Sequence, residues 1–441
     1  MNDTPDPALS LARRPTYIRH LVLAALCVIT TINYMQRNSL AAVQTRVSVD
    51  LQVSDIDIGD AKGVFFFAYA LCQIPSGWLA QRWGGRRALA LFAAGWSIVM
   101  GLTAIAPNLA VLLGARGAMG ALQAGIFPCC TMILAVWYPT ARRGFASAVL
   151  NSFMLIGGAV ASVLTGLLIG VLSWRGLFAV YALPGLLWAL CFALWFRNDP
   201  RNHASVNAEE LSIIGASRST TSAKSPAHSS IPWLKIMGSS ALWLICLQQF
   251  CRSGALRFFD QSLPTYLQRA RGQDIQDANL WTSLPMWAGV IGGMFGGTLS
   301  DFILTRTGSR RAARQGVAIG SLLLCLLCYT AAYQFAEVRW AMLMAGLGIC
   351  VMTFSSPCAY ALTMDMGGRN LAVIFATMNM AGNLGSAAFT TFIPRIAKWG
   401  GWDTALLVFA GMHVVALLCW LPLNPNGVIG EPAHETPDSK E

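Results

Sequence analysis

The sequence predicts an all-α membrane protein. It should have twelve transmembrane helices in two six-helix pseudo-symmetric bundles, with both termini cytoplasmic. Three observations predict it. Only 12% of the 441 residues are charged while 55% are hydrophobic, about half the charge of an ordinary soluble domain. Twelve apolar segments are each long enough to cross ~30 Å of hydrocarbon. A glycine-containing basic turn also recurs half a chain apart. The same composition excludes disorder, collagen and secreted disulfide scaffolds. The net charge of +11 comes from too few residues to build a phosphate-binding face, so nucleic acid is not an expected partner. All 12 Cys lie in apolar stretches, and Cys325-x-x-Cys328 sits in a Leu-rich run with no His or acid nearby. No metal and no cofactor are expected.

The spans fall at 20–43, 61–82, 88–106, 109–136, 144–172 and 176–196, then at 239–268, 278–303, 312–333, 337–364, 370–397 and 401–423. The first is not read as a cleaved signal, being too long and carrying Asn33, Gln36, Arg37 and Asn38 in its second half. Basic residues set the orientation. The face with both termini holds 19 Lys/Arg, including Arg13, Arg14, Arg82, Arg86, Arg87, Arg142, Arg143 and the cluster Arg306, Arg310, Arg311 and Arg314. The opposite face holds Arg46, Lys62, Arg175, Arg269, Arg271, Arg339, Arg395 and Lys398. Positive charge stays inside, so the termini are placed in the cytoplasm of a multi-pass inner-membrane protein. The organisation expected is a tail at 1–19, a bundle at 20–196, a polar linker at 197–237, a bundle at 238–423 and a tail at 424–441. The Ser/Thr/Ala-rich tract 215–230 reads as flexible.

The loop after span 2 reads Gly77-Trp-Leu79-Ala-Gln81-Arg82-Trp-Gly84-Gly85-Arg86-Arg87. The loop after span 8 reads Gly297-Thr-Leu299-Ser-Asp301 and then Gly308-Ser-Arg310-Arg311. A repeated helix–turn–helix at this spacing implies internal duplication. Further segments are Tyr34-Met-Gln-Arg37-Asn-Ser-Leu-Ala-Ala, Cys72-Gln-Ile-Pro-Ser-Gly-Trp78, Phe127-Pro128, Trp137-Tyr-Pro139 with Arg142-Arg143, Ser173-Trp-Arg-Gly-Leu-Phe178 and Trp195-Phe-Arg-Asn-Asp-Pro200. On these residues the chain resembles the major facilitator superfamily. Within it, the chain is similar to the anion:cation symporter family, whose members carry galactonate, hexuronates, vesicular glutamate and sialic acid. The resemblance implies a monomeric carrier in the lipid bilayer that moves a small organic anion, a sugar acid or other carboxylate, by alternating access. It implies no enzymatic activity.

Four arginines lie within spans: Arg37, Arg116, Arg252 and Arg257. A charge near mid-membrane costs at least ~2.5–3.5 kcal/mol, so it normally finds a polar cavity or a partner. No Asp or Glu occurs from Ala61 to Asn198. Arg37 and Arg116 therefore take either a carboxylate of the other half or the substrate. Arg37 stands roughly 25 Å along span 1, and with Arg116 and Arg252 it should converge on an exposed central site. A planar guanidinium fork suits a carboxylate or phosphate. Arg257 and Asp260 are i, i+3 neighbours, expected to pair in a structural or gating role. The string Phe250-Cys-Arg252-Ser253 resembles the vesicular glutamate branch, which implies a cavity role for Arg252.

Uncharged cavity candidates are Tyr34, Asn38, Tyr69, Gln73, Gln123, Asn151, Ser152, Ser356, Tyr360, Asn379 and Asn383. A single polar side chain in a span more often joins helices than binds ligand. Tyr69 and Asn379 gain weight because the resemblance places them at substrate-side positions. His413 is expected to be packed and inert.

The chain departs from the family at its acids. Gln36 and Gln123 stand where proton-coupled members carry Asp and Glu, and Gln81 stands for Asp in the first loop, while Asp301 is retained in the second. Drawing a negative charge into a cell costs about 2.3 kcal/mol per 100 mV, which proton symport would offset. Asp260 is the one remaining in-span candidate for that role, and Asp365 reads as loop structure. The expectation is proton coupling weakened or relocated, with H+, Na+, an exchanged anion or nothing as the coupling species. Two alternatives stay open. An organophosphate:phosphate antiporter would use Arg37 and Arg252, and a membrane sensor would bind the anion without moving it.

Overall fold

The computed structural model describes residues 14–139, 142–215, 233–367 and 371–424, with Gly427 and Ile429. Arg13, nearly all of the 215–230 tract and most of both tails lie outside these residues. Among the described residues every regular element is helical. The order is α1 (Ile18–Ala42), α2 (Gln44–Leu51), α3 (Asp55–Ala104), α4 (Leu109–Gln123), α5 (Ile126–Trp137), α6 (Arg143–Leu168) and α7 (Trp174–Trp195). Then come α8 (Ala208–Gly215), α9 (Trp233–Met237), α10 (Ser240–Arg257), α11 (Leu263–Arg269), α12 (Ile275–Thr307), α13 (Val317–Gln334), α14 (Val338–Met352), α15 (Ser355–Gly367) and α16 (Leu371–Trp420).

Nine helical stretches among the described residues are long and apolar enough to cross a membrane. Two of them, α3 and α16, run for 50 residues and break at Gly84 (φ 77°) and Gly401 (φ 79°). Only glycine enters that left-handed region without a steric penalty. At Gly84 the side chain of Asn198 comes so close that an added Cβ would stand 2.6 Å from its Nδ2. Asn198 Oδ1 also accepts from Arg86 N (2.8 Å), so the basic turn is fastened to the chain leaving α7. α10 and α11 join through a π-helical turn, Phe258–Ser262, just before Pro264. Proline offers no N–H to the ladder, which accounts for the wide turn there.

α3 starts six residues before the predicted span because Ser54 and Asp57 form a capping box. Asp57 Oδ2 accepts from Ser54 N (2.8 Å) and Ser54 Oγ accepts from Asp57 N (3.3 Å), satisfying N–H groups that a helix start leaves open. The start of α1 is capped from the linker. Glu210 on α8, fully buried, accepts from Ile18 N and Arg19 N (2.9 Å each).

Buried apolar side chains fall in two clusters, one drawn almost wholly from α1–α8 and one from α9–α16 and the residues just after it. The duplicated turn has the same packing in each. A Cβ on Gly77 would lie 3.8 Å from Pro128, and one on Gly297 would lie 3.8 Å from Pro357. The clusters meet where α3 crosses α16, with Gly59 against Pro394 and Gly63 against Thr391. They meet again where α6 crosses α12, with Gly166 against Asn279.

Polar bonds between the two sets of helices gather at the end opposite the start of α1. Thr45 Oγ1 donates to Gln268 Oε1 (2.7 Å), Gln261 Nε2 to Asn38 Oδ1 (2.9 Å) and Asn279 Nδ2 to the Ala42 carbonyl (2.9 Å). Arg395 grips Asp60 with two bonds of 2.7 and 2.8 Å. That end is sealed.

Candidate functional site

Arg37 lies near the sealed end of α1. Its Nε donates to Gln123 Oε1 (3.2 Å) and its Nη2 to Asn33 Oδ1, one turn back (3.4 Å). Three rings surround the guanidinium, with centroids 4.4 Å (Tyr34), 4.8 Å (Tyr69) and 5.1 Å (Phe65) from Cζ. Phe65 and Tyr69 are i, i+4 on α3 and so share one face. Arg116 on α4 donates from Nη2 to the Arg37 carbonyl (3.2 Å), and its Cζ stands 4.8 Å over the same Phe65 ring. Gln123 follows Arg116 by two turns on the same face. Tyr34, Arg37, Tyr69, Arg116 and Gln123 are thus brought together.

Both arginines are buried, Arg37 4% and Arg116 2% exposed. The exposure expected of them belongs to an open state of the site; here aromatic rings close over both. Among the described residues neither forms a salt bridge; Asp260 of the other set of helices acts on Arg37 only through space. A buried ion costs several kcal/mol to desolvate, and a desolvated cation–π contact returns about 2 kcal/mol. The rings and amide oxygens offset much of that cost, but being neutral they leave the two positive charges unbalanced.

Arg252 keeps its hydrogen bonds within the second set of helices. It donates from Nε and Nη2 to Gln249 Oε1 (3.3 and 3.0 Å) and from Nη1 to Ser356 Oγ (2.6 Å). Asn379 stands half-buried on α16, its carbonyl accepting from Asn383 Nδ2 (3.0 Å). Tyr360 packs on Phe375 with centroids 5.4 Å apart. Arg252 thus stands on the second set of helices, while Arg37 and Arg116 stand on the first.

Arg257 and Asp260 form the expected ion pair, both largely buried. Arg257 also lies 5.2 Å from the Phe66 ring of α3, so this pair touches both sets of helices. Gln36 is fully buried and donates to the Tyr181 carbonyl of α7 (2.6 Å). Gln81 is exposed. Asp301 accepts from Arg314 Nη1 (3.0 Å), and Arg314 also approaches Asp365 at 3.7 Å. Asn151 is exposed and donates to the Ser147 carbonyl (3.0 Å). His413 is fully buried between the Phe409 carbonyl and Met352.

Sequence reasoning counted Lys62 with the basic residues of the opposite face and missed its burial: it lies within α3 and is only 4% exposed. Phe65 and Asn33 were also missed as neighbours of Arg37. The i, i+4 spacings Phe65–Tyr69 and Asn33–Arg37 were the available signals.

The sequence profile of the Major Facilitator Superfamily matches residues 26–390 and 246–438. A probable sulfoacetate transporter of Cupriavidus necator is 28% identical over 415 residues, 94% of this chain and 96% of the relative. A probable galactarate/D-glucarate transporter of Bacillus subtilis is 28% identical over 92% of each chain. In fold, the chain is similar to the crystal structure of a D-xylose-proton symporter, with a TM-score of 0.71 at 14% identity, covering 94% of this chain and 99% of the other.

Proposed function

Because the chain belongs to the Major Facilitator Superfamily, we propose that it carries a small organic anion, a sugar acid or a related carboxylate or sulfonate, by alternating access. It is a multi-pass membrane transporter and not an enzyme. One observation carries the anion reading: two touching arginines, buried without a carboxylate and ringed by Tyr34, Phe65 and Tyr69. The relatives named for sulfoacetate and galactarate/D-glucarate support the same ligand class.

Breaking α3 and α16 at their glycines and adding the run 240–269 brings the nine crossing stretches to twelve. This supports twelve spans, and an even number puts both termini on one face, which the basic loops assign to the cytoplasm. The sealed end then faces outward, and the substrate leaves or enters on the cytoplasmic side. Arg37 and Arg116 bind the anion, Tyr34, Tyr69 and Gln123 shape the site, and Asn379 and Arg252 approach from the second bundle when the halves rock together. Arg257 and Asp260 act as a gate, since their pair rests on Phe66 of the first bundle.

Proton coupling is weakened or moved. Gln123 occupies the position against Arg37 where a carboxylate would titrate, and Gln36 is engaged with Tyr181. The test is a thermal-shift screen of the purified protein against organic anions, followed by uptake in proteoliposomes. Arg37→Ala and Arg116→Ala should abolish both the shift and uptake while leaving membrane insertion intact. Normal transport by either variant would overturn the site.

A further inference from the structure

A cavity of about 280 Å3 lies between the two sets of helices at the sealed end, lined from α2, α3, α11 and α16. Its lining holds three cations, Lys62, Arg269 and Lys398, and one carboxylate, Asp55. Asp55 is already engaged. It accepts from Gln44 Nε2 (3.0 Å) and stands 3.4 Å from Arg269. Arg269 and Lys398 are exposed, while Lys62 is nine-tenths buried.

The acceptors of Lys62 are both neutral. Its Nζ donates to Gln44 Oε1 (2.5 Å) and, across the divide, to the Gln261 carbonyl (2.5 Å). An ammonium has three donors; here two go to neutral oxygens and the carboxylates Asp55 and Asp260 act on it only through space, so its desolvation is repaid only in part. A second observation points into the same cavity. Thr265, 2% exposed and part of the lining, has a hydroxyl without a hydrogen-bond partner.

We propose that this cavity is an anion entry site on the outer path, where a small carboxylate or sulfonate is held before or after the paired arginines receive it. Lys62 and Thr265 bind the acid group from below, and Arg269 and Lys398 draw it in from the rim. A charge-assisted bond is roughly twice as strong as a neutral one, so Lys62 trades the Gln261 carbonyl for the anion. That exchange removes one of the ties that seal this end. Occupancy of the entry site thereby loosens the closure in front of the deeper site. The inference takes its ligand class from the anion-carrier reading, but its geometry is independent of it.

Trp402 lines this cavity and supplies the probe. The full chain is labelled with 5-fluorotryptophan in lipid nanodiscs, and the Trp402 resonance is assigned by its loss in Trp402→Phe. Titration with galactarate or methanesulfonate should shift that resonance saturably, and neutral galactitol should not. Lys62→Met should weaken the apparent affinity about tenfold or more, and Lys398→Gln by a few-fold. The shift should survive in Arg37→Ala. The proposal is overturned if neither anion shifts the resonance, if galactitol does so equally, or if Lys62→Met titrates like the wild type. It is also overturned if Arg37→Ala erases the signal, which would then report on the arginine pair. Failure of the carrier reading shows separately, as unimpaired uptake in Arg37→Ala.

Discussion

Gln123→Glu converts the neutral acceptor of Arg37 into a fixed anion in the same place. The amide oxygen lies 3.2 Å from Arg37 Nε. Two unit charges at that distance attract by about 5 kcal/mol at an effective dielectric constant of about 20. Desolvating the new carboxylate costs several kcal/mol, so a net of about 2 kcal/mol is a reasonable expectation. That amount binds Arg37 internally, and an entering anion must displace it. Its affinity should fall roughly 30-fold, since every 1.4 kcal/mol is tenfold. The assay is ligand binding to purified protein at pH 8, with uptake measured in proteoliposomes across pH 5–8. Wild-type binding should be nearly flat over this range. The variant should bind poorly at pH 8 and recover as acid neutralises the carboxylate, and its uptake should become protonophore-sensitive. Gln123→Leu controls for loss of the hydrogen bond and should stay within a few-fold of wild type. If Gln123→Glu binds at pH 8 as tightly as the wild type, Arg37 does not hold the substrate.

Gly63→Leu should prevent closure at the sealed end, because even a Cβ there meets Thr391 Oγ1 and lies 3.3 Å from the Ala387 carbonyl. Uptake and counterflow should both be lost while anion-induced thermal stabilisation persists; normal counterflow would refute the crossing as a moving contact. Glu210→Gln should lower thermal stability by about 1 kcal/mol through the weakened cap on α1. Burial opposes the Glu210 charge, but the hydrogen bonds from Thr16, Arg19 N and Ile18 N outweigh it and hold the carboxyl below its ordinary 4.5. A lowered native value means the contribution is complete above 4.5 and is lost as pH falls through the native value. The gap between wild type and variant should therefore stay constant from pH 8 to 6 and close only in stronger acid, as followed by melting temperature.

The sequence by itself determined the architecture. Scarce charge and long apolar runs leave a chain no stable state except helices in a bilayer, where every backbone N–H must be satisfied within its own segment. The repeated turn at Gly77 and Gly297 was legible as a repeat, although the prolines that pack on it, Pro128 and Pro357, come from other helices. The acid-free stretch from Ala61 to Asn198 likewise fixed in advance that Arg37 and Arg116 would find no carboxylate in their own bundle. Arg257 and Asp260 were legible because one turn of helix brings them together.

Contacts between elements far apart in sequence were decided only in three dimensions. Arg37 meets Gln123 across 86 positions and Arg116 reaches the Arg37 carbonyl across 79, and no periodicity within one helix encodes either. Arg252 reaches Ser356 across 104 positions, a partner that its own helix does not encode. Lys62 is the sharpest case. It stands at the first turn of the predicted span 61–82 and was counted with the basic residues of the opposite face. The Ser54 cap starts α3 early, and the closed arrangement of the halves carries the Gln261 carbonyl to its ammonium. A charge is exposed or buried according to what packs over it, and that is a property of the assembled fold.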